Sequence, residues 1–208
     1  MVSIRNRPPG KNPDIGAQRT GTANIPTRHG AFTAHAYLDS DGLEQMAYVA
    51  GDLTANTVPV VRVHSECLTG DVLGSLRCDC GSQLESALGI IANSDAGIVI
   101  YLRGHEGRGI GLGPKLQAYD LQDQGHDTVE ANELLGLPVD SRDYGVAAAI
   151  LADLGIERVR LLTNNPAKLT GLTEHGIEVT EQIQLPGATT PDNQRYLETK
   201  RDRLNHQL

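Results

Sequence analysis

The chain has no tryptophan and one phenylalanine, and aromatics make up only 3% of its 208 residues. Its core must therefore be aliphatic, built from Leu, Ile, Val and Ala. Positive charge is in deficit as well, with 18 Lys and Arg against 26 Asp and Glu. The formal net charge of −8 excludes a general nucleic-acid or anionic-membrane binder, and an acidic chain that binds an anion must gather its Arg and Lys locally. No apolar stretch approaches the length of a membrane span. The N-terminus, MVSIRNRPPGKNPDIG, has no apolar h-region and its basic residues are broken by Pro and Gly, so it reads as neither a secretory signal nor a transit helix. A cytoplasmic location is the expectation. Cysteine is scarce too. The three that exist fall between Cys67 and Cys80, an odd and tightly clustered set that suits a metal better than a disulfide framework.

At this length a single domain is expected. Residues 1–22 are polar and rich in Pro, Gly and Arg, and read as a disordered tail. Residues 23–190 read as one catalytic domain, and 191–208 as a polar tail, helical at most, with little apolar face to dock. Within the domain, AFTAHAYL, QMAYVAG and VPVVRVH are short β-type runs that suggest a small, largely antiparallel sheet. Beyond them the pattern changes. Leu84, Ala87, Leu88 and Ile91 sit at helical spacing, GIVIYLR reads as a buried strand, and a glycine-rich loop runs from Gly104 to Gly113, with Pro114 placed to open a helix. DTVEANELLG reads as a short helix. Asp140 or Ser141 is placed to cap a further helix with Val146, Ile150 and Leu154 on its apolar face. RVRLLT and IEVTEQIQL read as strands on either side of the helix PAKLTGLTEHG. Strands alternating with helices predict an α/β fold, a mixed central sheet flanked by helices with an antiparallel β-rich N-terminal part.

The cysteines lie in RVHSECLTGDVLGSLRCDCGSQLE, with Cys67 ten residues ahead of the triplet Cys78-Asp79-Cys80. Thiolates favour zinc among the common divalent metals, and three protein ligands plus water is a catalytic zinc arrangement. Arg62 and Arg77 nearby favour the thiolate forms. Two other readings stay open from spacing alone: buried cysteines without metal, and a closed structural site with His64 as fourth ligand.

The glycine loop matches neither a P-loop, since Pro114 precedes Lys115, nor a dinucleotide fingerprint. Its glycines still permit close backbone approach to a ligand. Arg103, Arg108, Lys115, Arg142 and Lys168 lie in or beside predicted loops and helix starts, where together they suit a polyphosphate, solvated surface charge being the plainer reading of any one of them. Asp140-Ser141-Arg142-Asp143 puts a carboxylate and a guanidinium near a helix start, an anion site or an ordinary cap.

The order of the segments narrows the choice. RVHSECLTGDVLGSLRCDCGSQLESAL, EGRGIGL, KLQAYDLQDQGHDTVEAN and LLTNNPAK, in this sequence and spacing, closely resemble the GTP cyclohydrolase II family from about residue 25 to about 200. The resemblance implies a zinc enzyme of riboflavin synthesis, in its single-function form, that converts GTP to 2,5-diamino-6-ribosylamino-4(3H)-pyrimidinone 5′-phosphate, formate and pyrophosphate. It implies that Cys67, Cys78 and Cys80 hold the zinc, with a water as fourth ligand that attacks C8 of guanine. It also implies that Arg62, Val63, His64, Ser65, Glu66, Gln83, Glu106, Gly107, Arg108, Thr128, Thr163 and Lys168 bind GTP, and that Tyr119 stands near the ring-opening chemistry. Asp140 matches the family's proposed proton acceptor and Arg142 its proposed nucleophile towards the α-phosphorus. Because a guanidinium stays protonated, a clamp on the phosphate is the physically easier role for Arg142. Mg²⁺ carried by the triphosphate, rather than by a protein cage, and a homodimer are further family expectations. The loop departs from the family's usual Arg-Gln-Glu-Gly-Arg: Gly104-His105 makes it one residue longer and replaces the amide. A paralogue that keeps the formyl group and a non-catalytic GTP-binding zinc module are the alternatives. Intact Tyr119, Asp140, Arg142 and cysteines speak against both.

Overall fold

The computed structural model describes residues 16–54 and 57–204. Strands β1 (Ala17–Thr27), β2 (Gly30–Asp39) and β3 (Glu44–Gly51) form an antiparallel meander. β4 (Val60–Ser65) leads through the short helix α1 (Leu68–Asp71) to α2 (Cys80–Ala92) and β5 (Ala96–Leu102). Helices α3 (Leu112–Asp123), α4 (Thr128–Leu134) and α5 (Gly145–Asp153) follow, then β6 (Arg158–Leu162), α6 (Pro166–Glu174), β7 (Glu178–Ile183) and α7 (Gln194–Leu204).

The strands make one seven-stranded sheet in the order β1-β2-β3-β5-β4-β6-β7. β3 and β5 pair antiparallel, whereas β5, β4, β6 and β7 run parallel. The expected mixed α/β sheet with an antiparallel N-terminal part is therefore what forms. The run VPVVRVH is the exception to the expected arrangement. As β4 it lies in the parallel half, because burial on both faces suits its near-continuous apolar character. On one face Val61, Val63, Ile98, Ile100 and Leu161 pack with Ala147, Ile150, Leu151 and Leu172 of α5 and α6. On the other, Val60, Val99 and Leu162 pack with Ala87 and Ile91 of α2. Strand alternation then sends Arg62 and His64 to the face opposite Val61 and Val63.

Three boundaries differ from the sequence reading. Residues 17–22, expected in a disordered tail, are the first half of β1; an edge strand needs backbone pairing more than apolar content, and Arg19 Nε adds a 2.8 Å bond to Asp153. The remainder of that tail up to residue 15 lies outside the described residues. Neither Asp140 nor Ser141 caps α5, which starts at Gly145 behind Tyr144. Asp140 is instead turned onto Arg142, and Asp143 accepts from Gly145 N at 2.8 Å. The polar C-terminal segment is helical and docked, through polar rather than apolar contacts.

Candidate active site

The parallel strands β4, β5 and β6 end on the same side, and a cleft of about 960 Å³, partly open to solvent, lies beyond their carboxyl ends, where open α/β sheets place ligands. Cys67 follows β4 directly, while Cys78 and Cys80 stand at the start of α2. Their three sulfurs lie within 4.8 Å of one another, with Cys67 and Cys78 at 3.8 Å. Glycine makes this approach possible. A Cβ on Gly70 would stand 2.8 Å from Cys78 Sγ and 3.2 Å from Cys67 Sγ, and one on Gly81 would stand 2.3 Å from the Gly70 carbonyl oxygen.

No His, Asp or Glu joins the sulfurs as a further clustered ligand among the described residues. His64 is committed elsewhere: its Nε2 lies 3.0 Å from both oxygens of Asp71, which also accepts from Cys67 N at 3.0 Å and Tyr101 Oη at 2.9 Å. Lys115, in the first turn of α3, reaches across to the sulfurs. Its Nζ lies 3.2 Å from Cys67 Sγ, 2.9 Å from Thr69 Oγ1 and 2.5 Å from Glu106 Oε1. Burial works against this ammonium, yet Glu106 and Cys67 outweigh it and raise the pKa. Hydrogen bonds from Cys78 and Cys80, and then Lys115, hold the Cys67 thiol far below its usual range. Tyr119 lines the same wall, its phenol pushed up to about 12 by burial, with the Arg77 guanidinium 4.6 Å over its ring.

The opposite wall is cationic. Arg142 sits in a fork on Asp140, with Nε 2.9 Å from Oδ1 and Nη2 2.5 Å from Oδ2. Burial would raise the Asp140 pKa, but the guanidinium prevails and lowers it. Arg108 is held by its backbone. It has φ of 65° between Gly107 and Gly109, and its carbonyl accepts from Ser141 N at 3.0 Å. Both its terminal nitrogens are buried with no acceptor among the described residues. His105 lies 3.2 Å through Nδ1 from Ser65 Oγ, and burial followed by Arg142 and Lys168 lowers its pKa to about 4. At the floor, Arg62 donates to Leu162 O at 3.1 Å and to Gln83 Oε1 at 2.9 Å. Lys168 donates to Val63 O at 2.7 Å. Burial, then repulsion from Arg62 and Arg142, depresses Lys168 well below the lysine range.

Most of the sequence-selected residues thus share one cleft: Arg62, His64, Ser65, Glu66, the three cysteines, Gln83, Glu106, Gly107, Arg108, Tyr119, Thr128, Arg142, Thr163 and Lys168. Two do not line it. Val63 points into the core and offers only its carbonyl, as strand parity requires, and Asp140 stands behind Arg142. Arg103, among the loop cations, turns to Glu44 and Glu66 at 4.0 Å. Sequence reasoning missed Asn132, Tyr196 and Lys200 as lining residues, and for Lys115 it weighed a polyphosphate site against solvated surface without foreseeing the sulfur contact. For Lys115 the signal was available, since Pro114 places it in the first turn of a helix facing the loop.

The GTP cyclohydrolase II family model matches residues 18–184. The chain is 59% identical over 187 residues to the riboflavin biosynthesis protein RibBA of Salinispora tropica, covering 89% of this chain and 47% of that protein. It is 57% identical over 196 residues to RibBA of Rhodococcus jostii, covering 92% of this chain and 47% of that one. It therefore spans about half the length of these curated relatives. Among solved structures, RibBX, a two-domain 3,4-dihydroxy-2-butanone 4-phosphate synthase from A. baumannii, is similar with a TM-score of 0.46 and 24% identity, over 82% of this chain and 41% of that one. A match over most of the chain, joined to relatives more than half identical, establishes that the chain belongs to the GTP cyclohydrolase II family.

Proposed function

We propose that this chain hydrolyses GTP to 2,5-diamino-6-ribosylamino-4(3H)-pyrimidinone 5′-phosphate, formate and pyrophosphate, with zinc at Cys67, Cys78 and Cys80 and Mg²⁺ accompanying the triphosphate. The observation that carries this reading is the meeting, in one cleft, of a three-sulfur cluster on one wall and a cationic opposite wall. The sulfurs fit the metal. Tetrahedral Zn–S bonds of about 2.3 Å require S···S separations of about 3.8 Å, the spacing of Cys67 and Cys78. When bound, zinc would supply Lewis acidity and a water acidic enough to act near neutral pH.

The chain's own residues divide the remaining work. Arg62, Arg108, Arg142 and Lys168 gather the triphosphate, and the vacant donors of Arg108 suit phosphate oxygens. Asp140 keeps Arg142 protonated and oriented, which favours a clamp on the α-phosphoryl group over a nucleophile. Tyr119, neutral near pH 7, holds its proton to donate to, or orient, water or the formyl group. Lys115 balances the charge of the thiolates.

The test is anaerobic incubation of zinc-loaded protein with GTP and Mg²⁺, with products followed by mass spectrometry beside Cys67→Ser and Tyr119→Phe. Formate, pyrophosphate and the pyrimidine from wild type, and none from Cys67→Ser, are expected. A formylated pyrimidine without formate would indicate the ring-opening paralogue. GTP bound but returned unchanged would indicate a non-catalytic module.

A further inference from the structure

Helix α7 has a composition unsuited to a core, and yet it packs against the cleft. Tyr196, Thr199 and Lys200 are spaced three and four residues apart, and so share one side of the helix. Thr199 and Lys200 are buried, and Tyr196 and Lys200 line the cleft. A buried lysine requires an acceptor. Lys200 Nζ finds one in Asp79 Oδ1 at 2.6 Å, on a side chain only 1% exposed. Asp79 is the residue between Cys78 and Cys80. Its other oxygen accepts from Gln83 Nε2 at 2.6 Å, and Gln83 Oε1 accepts from Arg62 Nη2 at 2.9 Å. One polar chain therefore runs from α7 through the cysteine turn to the cleft floor. Arg203 Nη1, 3.0 Å from Asp127 Oδ2, fastens the far end of α7 to the start of α4.

The same ion pair fixes an aromatic ring. Lys200 Nζ stands 4.6 Å from the centroid of the Tyr196 ring. Tyr196 lines the cleft together with Cys78 and Cys80 on one side and Arg108 and Arg142 on the other. It therefore shares the lining with both the sulfur wall and the arginine wall, within reach of a molecule that bridges the two. The family-model match stops at residue 184, ahead of this helix.

Resting on the GTP reading above, we propose that Tyr196 is a further substrate-contacting residue, meeting the nucleotide between the cysteine cluster and Arg108 and Arg142. Lys200 is the positioning residue that holds it there through Asp79. A bound nucleotide is then enclosed by α7 as well as by the strand-end loops.

The experiment uses full-length, zinc-loaded protein and the variants Tyr196→Ala, Tyr196→Phe, Lys200→Met and Lys200→Arg. It measures KM and kcat for GTP, the Kd of the α,β-methylene analogue of GTP by calorimetry, and zinc content. Loss of one ligand contact corresponds to a rise of about tenfold in KM and Kd for Tyr196→Ala, with kcat within about threefold and zinc content unchanged. Lys200→Met gives the same pattern, and Lys200→Arg, which keeps the ion pair, restores most of it. Unchanged KM and Kd in Tyr196→Ala would overturn the proposal. So would a Lys200→Met protein that loses zinc and kcat together while KM stays fixed, since that marks a purely structural tie. Wild-type protein inert towards both nucleotides would overturn the GTP reading and this one with it. Active wild type with indistinguishable variants would overturn this one alone.

Discussion

Replacing Gly70 with Ala sets two effects of opposite sign against each other. Gly70 lies in α1 without a positive φ, so helix propensity alone would make Ala stabilising by about 1 kcal/mol. The new methyl would, however, stand 2.8 Å from Cys78 Sγ, 3.0 Å from Cys80 Cβ and 3.2 Å from Cys67 Sγ. Overpacking of this kind costs about 1–3 kcal/mol. Without metal the sulfurs can move apart and shed part of that cost, leaving stability near wild type. With metal they must converge, and the full cost falls on binding. At 1.4 kcal/mol per decade, zinc affinity should drop by about tenfold or more, read by competition with a chromophoric chelator. Thermal unfolding with and without EDTA separates the two states. Gly113→Ala is the control, since nothing lies within 4 Å of a Cβ there. It should keep wild-type zinc affinity and gain about 2 °C or so in Tm. Zinc affinity of Gly70→Ala within twofold of wild type would refute the claim that this glycine exists to let the sulfurs meet.

The cysteine cluster was legible because it is local. All three sulfurs come from the end of one strand and the start of the next long helix, so spacing carries the geometry. The alternation of β4 was equally readable, and it explains why Arg62 and His64 face the cleft while Val63 cannot. What escaped was long-range and polar. Lys200 meets Asp79 across 121 positions of sequence, and an ion pair leaves no hydrophobic period to find. β1 escaped for the same reason, its pairing being made by backbone. Asp140 was misassigned as a cap because a carboxylate serves a helix N-terminus and a guanidinium equally well in sequence. Only the fold shows that Arg142 is the nearer partner.

On the proposed reading, the cleft also accounts for how an acidic chain could take a polyanion. Arg62, Arg108, Lys115, Arg142, Lys168 and Lys200 line it, against the carboxylates of Glu66 and Glu106. Three of these cations are already neutralised locally, Lys115 by Glu106, Arg142 by Asp140 and Lys200 by Asp79. Burial first, and neighbouring cations after it, depress Lys168 and lower Arg62 to about 10. A triphosphate bound as proposed would relieve the repulsion among these cations, so binding would draw on local charge rather than on net charge.

Lys115→Met leaves Glu106 buried with its salt bridge removed, a loss worth about 3–5 kcal/mol in typical buried pairs; urea unfolding should show it, and adding Glu106→Gln should recover part. His105 is held neutral by burial, so the unfolded chain binds the extra proton between pH 6.5 and about 4. Stability should therefore fall as pH drops through that window, by on the order of 3 kcal/mol, and His105→Gln should flatten the fall. Arg142→Lys loses the fork on Asp140 and should lower kcat/KM by about a hundredfold or more with little change in Tm. Lys168 offers the sharpest electrostatic test. Its pKa is depressed in the empty cleft by burial and by Arg62, Arg142 and Lys200, and a triphosphate placed among these cations must raise it. A ligand that raises a pKa prefers the protonated protein, so GTP affinity should weaken as pH rises, and binding should take up protons. Calorimetry at pH 8 in buffers of different ionisation enthalpy measures that uptake on Cys67→Ser protein, where turnover does not intrude and His105, near 4, contributes little. Lys168→Met should abolish it. Binding heats identical in every buffer would mean that Lys168 keeps its charge in the empty cleft, and that the crowding of cations is relieved by some other group.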